Sequence, residues 1–588
     1  MSGLQSFMER DPTVFYKINM VREIDNFRKK TGKTPLLVLH GPCSRQFFGK
    51  PNKKKFLTGG QFKLYKKNVD KFVDFFQELD VKIVAFFDGC KIDRMQDRWI
   101  QKKRYYIQNS YELLDAIDHN EVNNNRTQLP CNISNFIQSC LKKKCEVIFS
   151  TFEESDSEII TYAKKHDALA VFSQDADFVI AQADFMYWSY KDIDYESQTT
   201  YVYDRKMLAR ALGLNVEQLP LLRTMIGNDY VLEPKLQTWF KKLGIRQYKD
   251  LSFDRHQKIV KVARQIKNCN NTIDSYRHLS SRAFGTYDDY DIIKISVESY
   301  MGIGRDKTTS LSEDFQWNAL LMKAVELMQG PRYLVNGVIF DILHKQTFEM
   351  NMIYEDFRKP DIPASGLLWR PIRAHIYGIL LRDYPFNKTV EEWICHGGDI
   401  SIPDMVEAIL PTGDIEHYKL QDFWDESIST DLTEITWKLF CSSINNNLPV
   451  HRVKNINQKC IITALIILFM ADKCHMNEEE INAFLMMSAL CATNDDVTQY
   501  SSAHTNKINT RMLRLSTVFL RGLSTMSLFF NATCFLIPKD YILACNIFDG
   551  ALLQSLYRDP NSAHSVHYEA RILFEDGKRF IDEYKHLF

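Results

Sequence analysis

A chain of 588 residues with 45% hydrophobic and 25% charged residues is too long for one core and has the composition of a globular protein of two to four domains. Its 74 Lys+Arg balance 74 Asp+Glu, which excludes a uniformly polybasic or polyacidic binder. No run nears twenty apolar residues, the amino terminus lacks the apolar core of a signal peptide, and thirteen scattered cysteines form no Cys-x-x-Cys pair, so membrane spans, secretion and zinc ribbons are not expected.

Thr34-Pro-Leu-Leu-Val-Leu-His40 and Lys82-Ile-Val-Ala-Phe-Phe-Asp88 are short apolar runs of the buried-strand type. Between them, Phe62, Leu64, Val69, Phe72, Val73, Phe76 and Leu79 share one face of a helix expected over Gln61 to Leu79. A long polar helix follows Asp88. Then come a strand over Glu146 to Thr151, a helix after Glu154, a strand over Ala168 to Ser173, and a last strand over Thr199 to Tyr203. A helix from Asp204 to Leu212 stops at Gly213. Repeated strand-helix-strand units predict an α/β domain with a mainly parallel sheet flanked by helices, over residues 1–297. Residues 298–330, with the polar stretch around Thr308, read as a linker, and 331–588 as a mostly α-helical carboxyl-terminal domain opened by a β-like stretch from Tyr333 to Phe348.

Six acids stand at or just beyond the expected strand ends: Asp88, Glu154, Asp156, Asp175, Asp177 and Asp229. A parallel sheet binds ligands along the carboxyl ends of its strands, and carboxylates gathered there repel one another unless a hard cation lies between them. The pattern is that of a two-metal phosphodiesterase, or of its descendant, with Mg²⁺ or Mn²⁺ as the implied cofactor. Asp175 and Asp177 flank one alanine, so on an extended segment they point the same way. Two capping boxes compete for the acids near 155: Thr151 with Glu154, and Ser155 with Glu158. We assign Glu158 to the cap and keep Glu154 and Asp156 as ligand candidates. Asp88 before Gly89 also fits a turn, and His40 also fits a histidine satisfied at the core edge.

Residues 1–145 hold 27 Lys+Arg against 15 Asp+Glu, so the rest of the chain carries the opposite excess. Lys91, Arg94, Arg98, Lys102, Lys103 and Arg104, on and before the polar helix, are the candidate phosphate contacts. The competing reading leaves such lysines and arginines as solvated surface.

The segment Leu212 to Tyr230, ending Ile226-Gly-Asn-Asp-Tyr230, resembles the flap-endonuclease (XPG-type, PIN-like) superfamily, in which a helix leads into a Gly-x-Asp-Tyr metal ligand. Phe87-Asp-Gly89, Glu154-Ser-Asp156, Asp175-Ala-Asp177 and the opening Gly3-Leu-Gln-Ser-Phe7 are similar to other segments of that superfamily. Gly366 to Leu380, Glu392-Trp393 and Phe548 to Leu556 are similar to the constitutive coactivator of peroxisome proliferator-activated receptor gamma family, which joins a nuclease-like head to a helical tail. That second resemblance spans most of the chain and implies RNA binding or transcriptional coactivation rather than catalysis. Two departures stand out. His40 replaces the aspartate that ends the superfamily's first strand, and Val231 to Leu236 stands where a Gly-x-Gly helix-hairpin-helix would grip the duplex. Imidazole suits Mg²⁺ poorly.

The resulting expectation is a nucleic-acid (RNA)-binding regulatory protein or coactivator on a degenerate nuclease-like domain, nuclear and/or cytoplasmic. RNA or single-stranded nucleic acid and regulatory proteins are its expected partners. An active metal-dependent nuclease and a pure protein scaffold are the alternatives.

Overall fold

The computed structural model describes the chain except residues 1–2, 49–56, 89–95, 122–127, 151–154, 229, 249–252, 302–314, 331–336, 351, 386, 398–399, 401, 426–428, 495, 499–507, 535 and 561–566. It divides into two compact units interleaved along the chain. Residues 1–47, 72–98 and 144–310 form the first, and 48–71, 99–143 and 311–588 the second. The last crossing, at 310/311, falls inside the stretch expected as a linker.

The first unit is an α/β domain around a seven-stranded sheet. Its strands are β1 (Phe15–Asn19), β2 (Leu36–His40), β3 (Lys82–Phe87), β4 (Glu146–Phe149), β5 (Ala170–Ser173), β6 (Met186–Ser189) and β7 (Thr199–Tyr203), in the spatial order β1-β7-β6-β5-β2-β3-β4. Strands β6, β5, β2, β3 and β4 run parallel; β7 runs antiparallel to β6, and β1 antiparallel to β7, which returns it to the direction of the other five. All five residues of β2 are buried, as a strand covered on both faces requires. The chain leaves β2 toward β3 and β4 and returns on the other side as β5. This reversal puts a crevice at the carboxyl ends of β2 and β5, where open α/β sheets bind ligands.

The helices of this unit that matter below are α1 (Gly41–Phe48), α2 (Ser155–Lys165), α3 (Leu219–Met225), α4 (Glu233–Lys242) and α5 (Arg255–Ile266). A sixth, α6 (Tyr290–Met301), packs on α3 and supplies Tyr300. One apolar core joins Val38, Val84 and Val171 of the sheet to Leu222, Ile259 and Val297 of these helices. Two strands escaped the sequence pattern. β1 is a half-exposed edge, and β6 has only four residues.

The second unit is mainly helical, with α7 (Arg370–Leu380), α8 (Ile461–Lys473), α9 (Glu478–Thr493) and α10 (Thr510–Ala532) among its longer helices. A three-stranded sheet of β8 (Thr347–Glu349), β9 (Thr389–Trp393) and β10 (Asp404–Glu407) accompanies them. Of the β-like stretch expected over Tyr333 to Phe348, residues 333–336 lie outside the described residues, Val338–Lys345 is a helix, and only Thr347 and Phe348 at its end are strand, in β8. The helix's buried Ile339, Phe340, Ile342 and Leu343 fall at helical spacing, which outweighs their β propensity. At the centre of this unit the fully buried Arg373 bonds both oxygens of Glu392, each at 2.8 Å. Tyr377 donates to the same carboxylate at 2.7 Å. Elsewhere in the unit, Gly550 N donates to Gly60 O at 2.8 Å, and a side chain at Gly550 would collide with Thr58 O.

Candidate functional site

The described acids at the strand ends, Asp88, Asp156, Asp175 and Asp177, are brought together around two basic side chains of the protein itself, His40 and Arg223. His40 closes β2, is buried, hydrogen-bonds through Nδ1 and faces a carboxylate with Nε2. Nδ1 lies 2.8 Å from Ser173 Oγ at the end of β5, and Nε2 lies 3.2 Å from Asp156 Oδ1. Burial opposes a charge on this imidazole, but Cys43, and then Asp88 and Asp175, outweigh it and lift its pKa to about 9. These neighbouring charges favour the imidazolium form of His40.

Asp88 follows β3 and is exposed; its Oδ1 accepts from Ser155 Oγ at 2.6 Å. That bond takes the hydroxyl that the second capping box would have used, and Glu158 accepts instead from Ser150 Oγ at 3.0 Å. Helix α2 starts at Ser155 with Asp156 and Glu158 in its first turn, where the helix dipole favours both.

Asp175 and Asp177 do not lie on an extended segment. Ala176 between them is in the right-handed helical region, and Asp177 opens a four-residue helical turn. The Asp177 amide donates to Asp175 Oδ1 at 3.2 Å, so the two carboxylates diverge into different surroundings. Burial and the neighbouring charge of Asp177 push the Asp175 carboxyl up, and Arg223 and His40 pull it back. Asp177 turns inward to Arg223 of α3, itself only 6% exposed. Nε of Arg223 donates to Oδ1 at 2.5 Å and Nη2 to Oδ2 at 3.3 Å. Tyr300 OH of α6 donates to Oδ2 at 3.1 Å, and Asn228 Nδ2 supports that hydroxyl at 3.3 Å. Arg223 also reaches Gly227 O through Nη1, tying down the loop before position 229.

A divalent ion asks for convergent, ionised oxygens with free lone pairs. Among the described residues these acids do not fit it. Both oxygens of Asp177 hold donors, Asp156 pairs with His40, and no three His, Cys, Asp or Glu are grouped as a metal set. The imidazole at the end of β2, drawn toward its charged form by the acids around it, stands where the ion would need ligands. Glu154 and Asp229 lie outside the described residues.

The candidate phosphate contacts divide as well. Lys91 and Arg94 lie outside the described residues. Arg98 and Lys102 stand on the helix Gln96–Asp118, with side chains not described. Lys103 is buried at 6% exposure and is withdrawn as a surface contact; Arg104 is exposed. Lys103 falls on the inner face because the helix carries the buried Ile107, Ser110 and Leu114 at three- and four-residue steps from it.

A second basic region, not singled out from the sequence, lies on α4, α5 and the turn between them. Residues 233–267 hold ten Lys+Arg against three Asp+Glu, inside a part of the chain whose overall balance is acidic. Lys241, Lys242, Arg246, Arg255, Arg264 and Lys267 are all exposed. Gly244, at φ 65°, makes the turn, and Lys261 Nζ donates to its carbonyl at 2.6 Å, which draws α5 against the end of α4. The Arg246 guanidinium lies over the Tyr248 ring at 5.2 Å, and that ring is 43% exposed. A sliding charge count over windows of this length would have exposed the region.

Residues 212–304 match the family model of the FAM120A-like domain, which spans α3 to α6. Along 100% of its length the chain is 19% identical to the constitutive coactivator of peroxisome proliferator-activated receptor gamma of Mus musculus, covering 91% of that protein. The Bos taurus counterpart is 20% identical over 99% of the chain and 93% of its own length. A third relative, the single-strand DNA endonuclease ASTE1 of Danio rerio, is 25% identical over 31% of the chain and 27% of its own length. Among solved structures, human GEN1 with Holliday junction DNA is similar at a TM-score of 0.31 and 12% identity, over 58% of the chain and 77% of its own. The catalytic core of Rad2 with DNA substrate is similar at 0.28 and 13% identity, over 58% and 98%. The chain thus carries a FAM120A-like domain and is similar along its whole length to constitutive coactivators of PPAR-gamma.

Proposed function

We propose that this protein is a nuclear, nucleic-acid-binding regulatory protein of the coactivator type, directed to RNA and built on a nuclease-like α/β unit. The observation that carries the reading is the exposed basic surface of α4, the Gly244 turn and α5. Cations on rigid helices neutralise phosphates and release counterions, which gives affinity with little sequence preference. Arg246 over Tyr248 adds a flat face on which an unpaired base can stack. The coactivator names of the relatives support the regulatory half, with protein partners recruited through the helical unit. Arg104, with Lys91, Arg94, Arg98 and Lys102, is a further candidate contact. No helix among the described residues is long and apolar enough to cross a membrane.

A filter-binding titration of single-stranded RNA at several salt concentrations tests this. Reversal of Lys241, Lys242 and Arg246 to glutamate weakens binding and flattens the salt dependence; unchanged affinity removes the surface from the reading.

The relative named as an endonuclease favours a second reading, a divalent-metal-dependent nuclease. In-line hydrolysis wants two positioned ions, and the engaged state of Asp156 and Asp177 weighs against that. Labelled RNA and flap DNA with Mg²⁺ or Mn²⁺ decide between the readings. Turnover of about 1 per second or more, abolished by Asp175→Ala, installs the nuclease.

A further inference from the structure

Arg223 is the one cation in the sequence Leu219-Pro-Leu-Leu-Arg-Thr-Met225, a helix whose every residue is buried. A charge in that setting survives only if it is paired and hydrogen-bonded. The pairing is Asp177, held by two nitrogens of the fork, with the third on Gly227 O and Tyr300 completing the carboxylate. The same region contains the acids that a metal site would use, and they are crowded enough that Asp177 raises the Asp175 carboxyl. Like charges so close are eased by a positive charge among them, and Arg223 supplies one at Asp177.

We propose that Arg223 is a built-in counter-ion that takes the electrostatic part of a divalent cation at Asp177, so that the acidic edge is folded and closed without metal. A guanidinium cannot lose its proton, satisfies a carboxylate in a planar fork, and is bonded covalently to the fold, so neither chelation nor ion depletion removes it. A divalent ion at Asp177 has to displace it. The inference concerns charge inside the α/β unit and stands apart from the nucleic-acid reading, since its test contains no nucleic acid.

The test uses the full-length protein, with Mn²⁺ alone as the probe, read by the loss of free-Mn²⁺ electron paramagnetic resonance signal and by thermal melting in EDTA or in 1 mM Mn²⁺. The wild type is expected to melt at the same temperature in both and to leave the Mn²⁺ signal intact. Arg223→Met in EDTA melts on the order of 10 °C lower, because a buried carboxylate has lost its partner. Mn²⁺ recovers about half of that loss by binding the folded state, with one ion taken up. The double variant Arg223→Met with Asp177→Asn, which removes both charges, melts within a few degrees of the wild type and takes up no Mn²⁺. Arg223→Lys keeps the charge without the fork and is intermediate and blind to Mn²⁺.

Three results overturn the inference. One is Mn²⁺ binding by the wild type that Asp177→Asn abolishes. Another is an Arg223→Met variant that Mn²⁺ does not stabilise, which leaves a plain structural ion pair. The third is a double variant as unstable as the single one. Should Arg223→Met not fold in EDTA, the double variant and Arg223→Lys carry the test.

Discussion

The acidic edge of the sheet and the basic surface of α4 and α5 lie in one compact unit and answer opposite questions about charge. The edge has the residues that look functional, yet its carboxylates are answered from within, by His40, Arg223, Ser155 and Tyr300. The helical pair has no motif, yet Lys241, Lys242, Arg246, Arg255, Arg264 and Lys267 are directed to solvent. What a region can do for a ligand depends on the charge left over after internal pairing. Buried charges that have found partners belong to stability; exposed ones belong to recognition.

The largest expected effect that sharpens this contrast is Asp177→Ala. It strands a buried guanidinium and costs about 3–5 kcal/mol of stability, seen as a lower denaturant midpoint, while RNA affinity per folded molecule is unchanged. A loss of affinity with no loss of stability breaks the contrast at once.

Next comes pH. The folded pKa of His40, about 9, exceeds the ordinary value of 6.5, so its contribution is fully present below pH 6.5 and is lost as pH rises through about 9. The expected fall is about 3 kcal/mol, read as melting temperature between pH 6.5 and 9.5. It is smaller in Cys43→Ser, because Cys43 heads the causes that raise the imidazole. RNA binding through lysine and arginine is flat across that range; a binding curve that follows His40 would join the two regions.

Charge reversal at Lys241, Lys242 and Arg246 acts in the other direction. Affinity falls at least about tenfold, or roughly 1.4 kcal/mol, and the slope of log K against log salt shrinks by about 2–3, with stability within about 0.5 kcal/mol of the wild type. The smallest effect is Ser155→Ala, which removes the donor to the exposed Asp88. It costs about 1 kcal/mol by chemical denaturation and leaves RNA binding alone.

The strands that position the edge were legible because buried parallel strands are continuous apolar runs. Leu36–His40 and Lys82–Phe87 lie inside the runs that marked them, and Thr199–Tyr203 matches its run end to end. β1 was not legible, because an edge strand with exposed Tyr16 and Lys17 has no apolar run to show. β6, Met186-Tyr-Trp-Ser189, was missed because it has no β-branched or aliphatic run of the kind that marks β4 and β5. The acids themselves could be listed from the sequence, but their partners could not. Sequence spacing does not reveal that Ala176 is helical and turns Asp177 inward, nor that Tyr300 arrives from α6. Arg223 did leave a signal: a lone arginine among Leu, Pro and Met in a short apolar helix needs a buried carboxylate. The interleaving of the two units was invisible for a different reason, since residues 48–71 and 99–143 have the same helical patterns whichever core they join.

That interleaving sets a timetable for synthesis. Gly60 waits for the amide of Gly550, a partner about 490 residues away, and no substitute at 550 fits so near the carbonyl of Thr58. At about 5–20 residues per second, a ribosome needs roughly half a minute or more to deliver it. The helical unit therefore closes only after nearly the whole chain has been released. Until then its early segments, 48–71 and 99–143, present apolar faces with no core to enter, which makes them the stretch of the nascent chain most in need of a chaperone's cover.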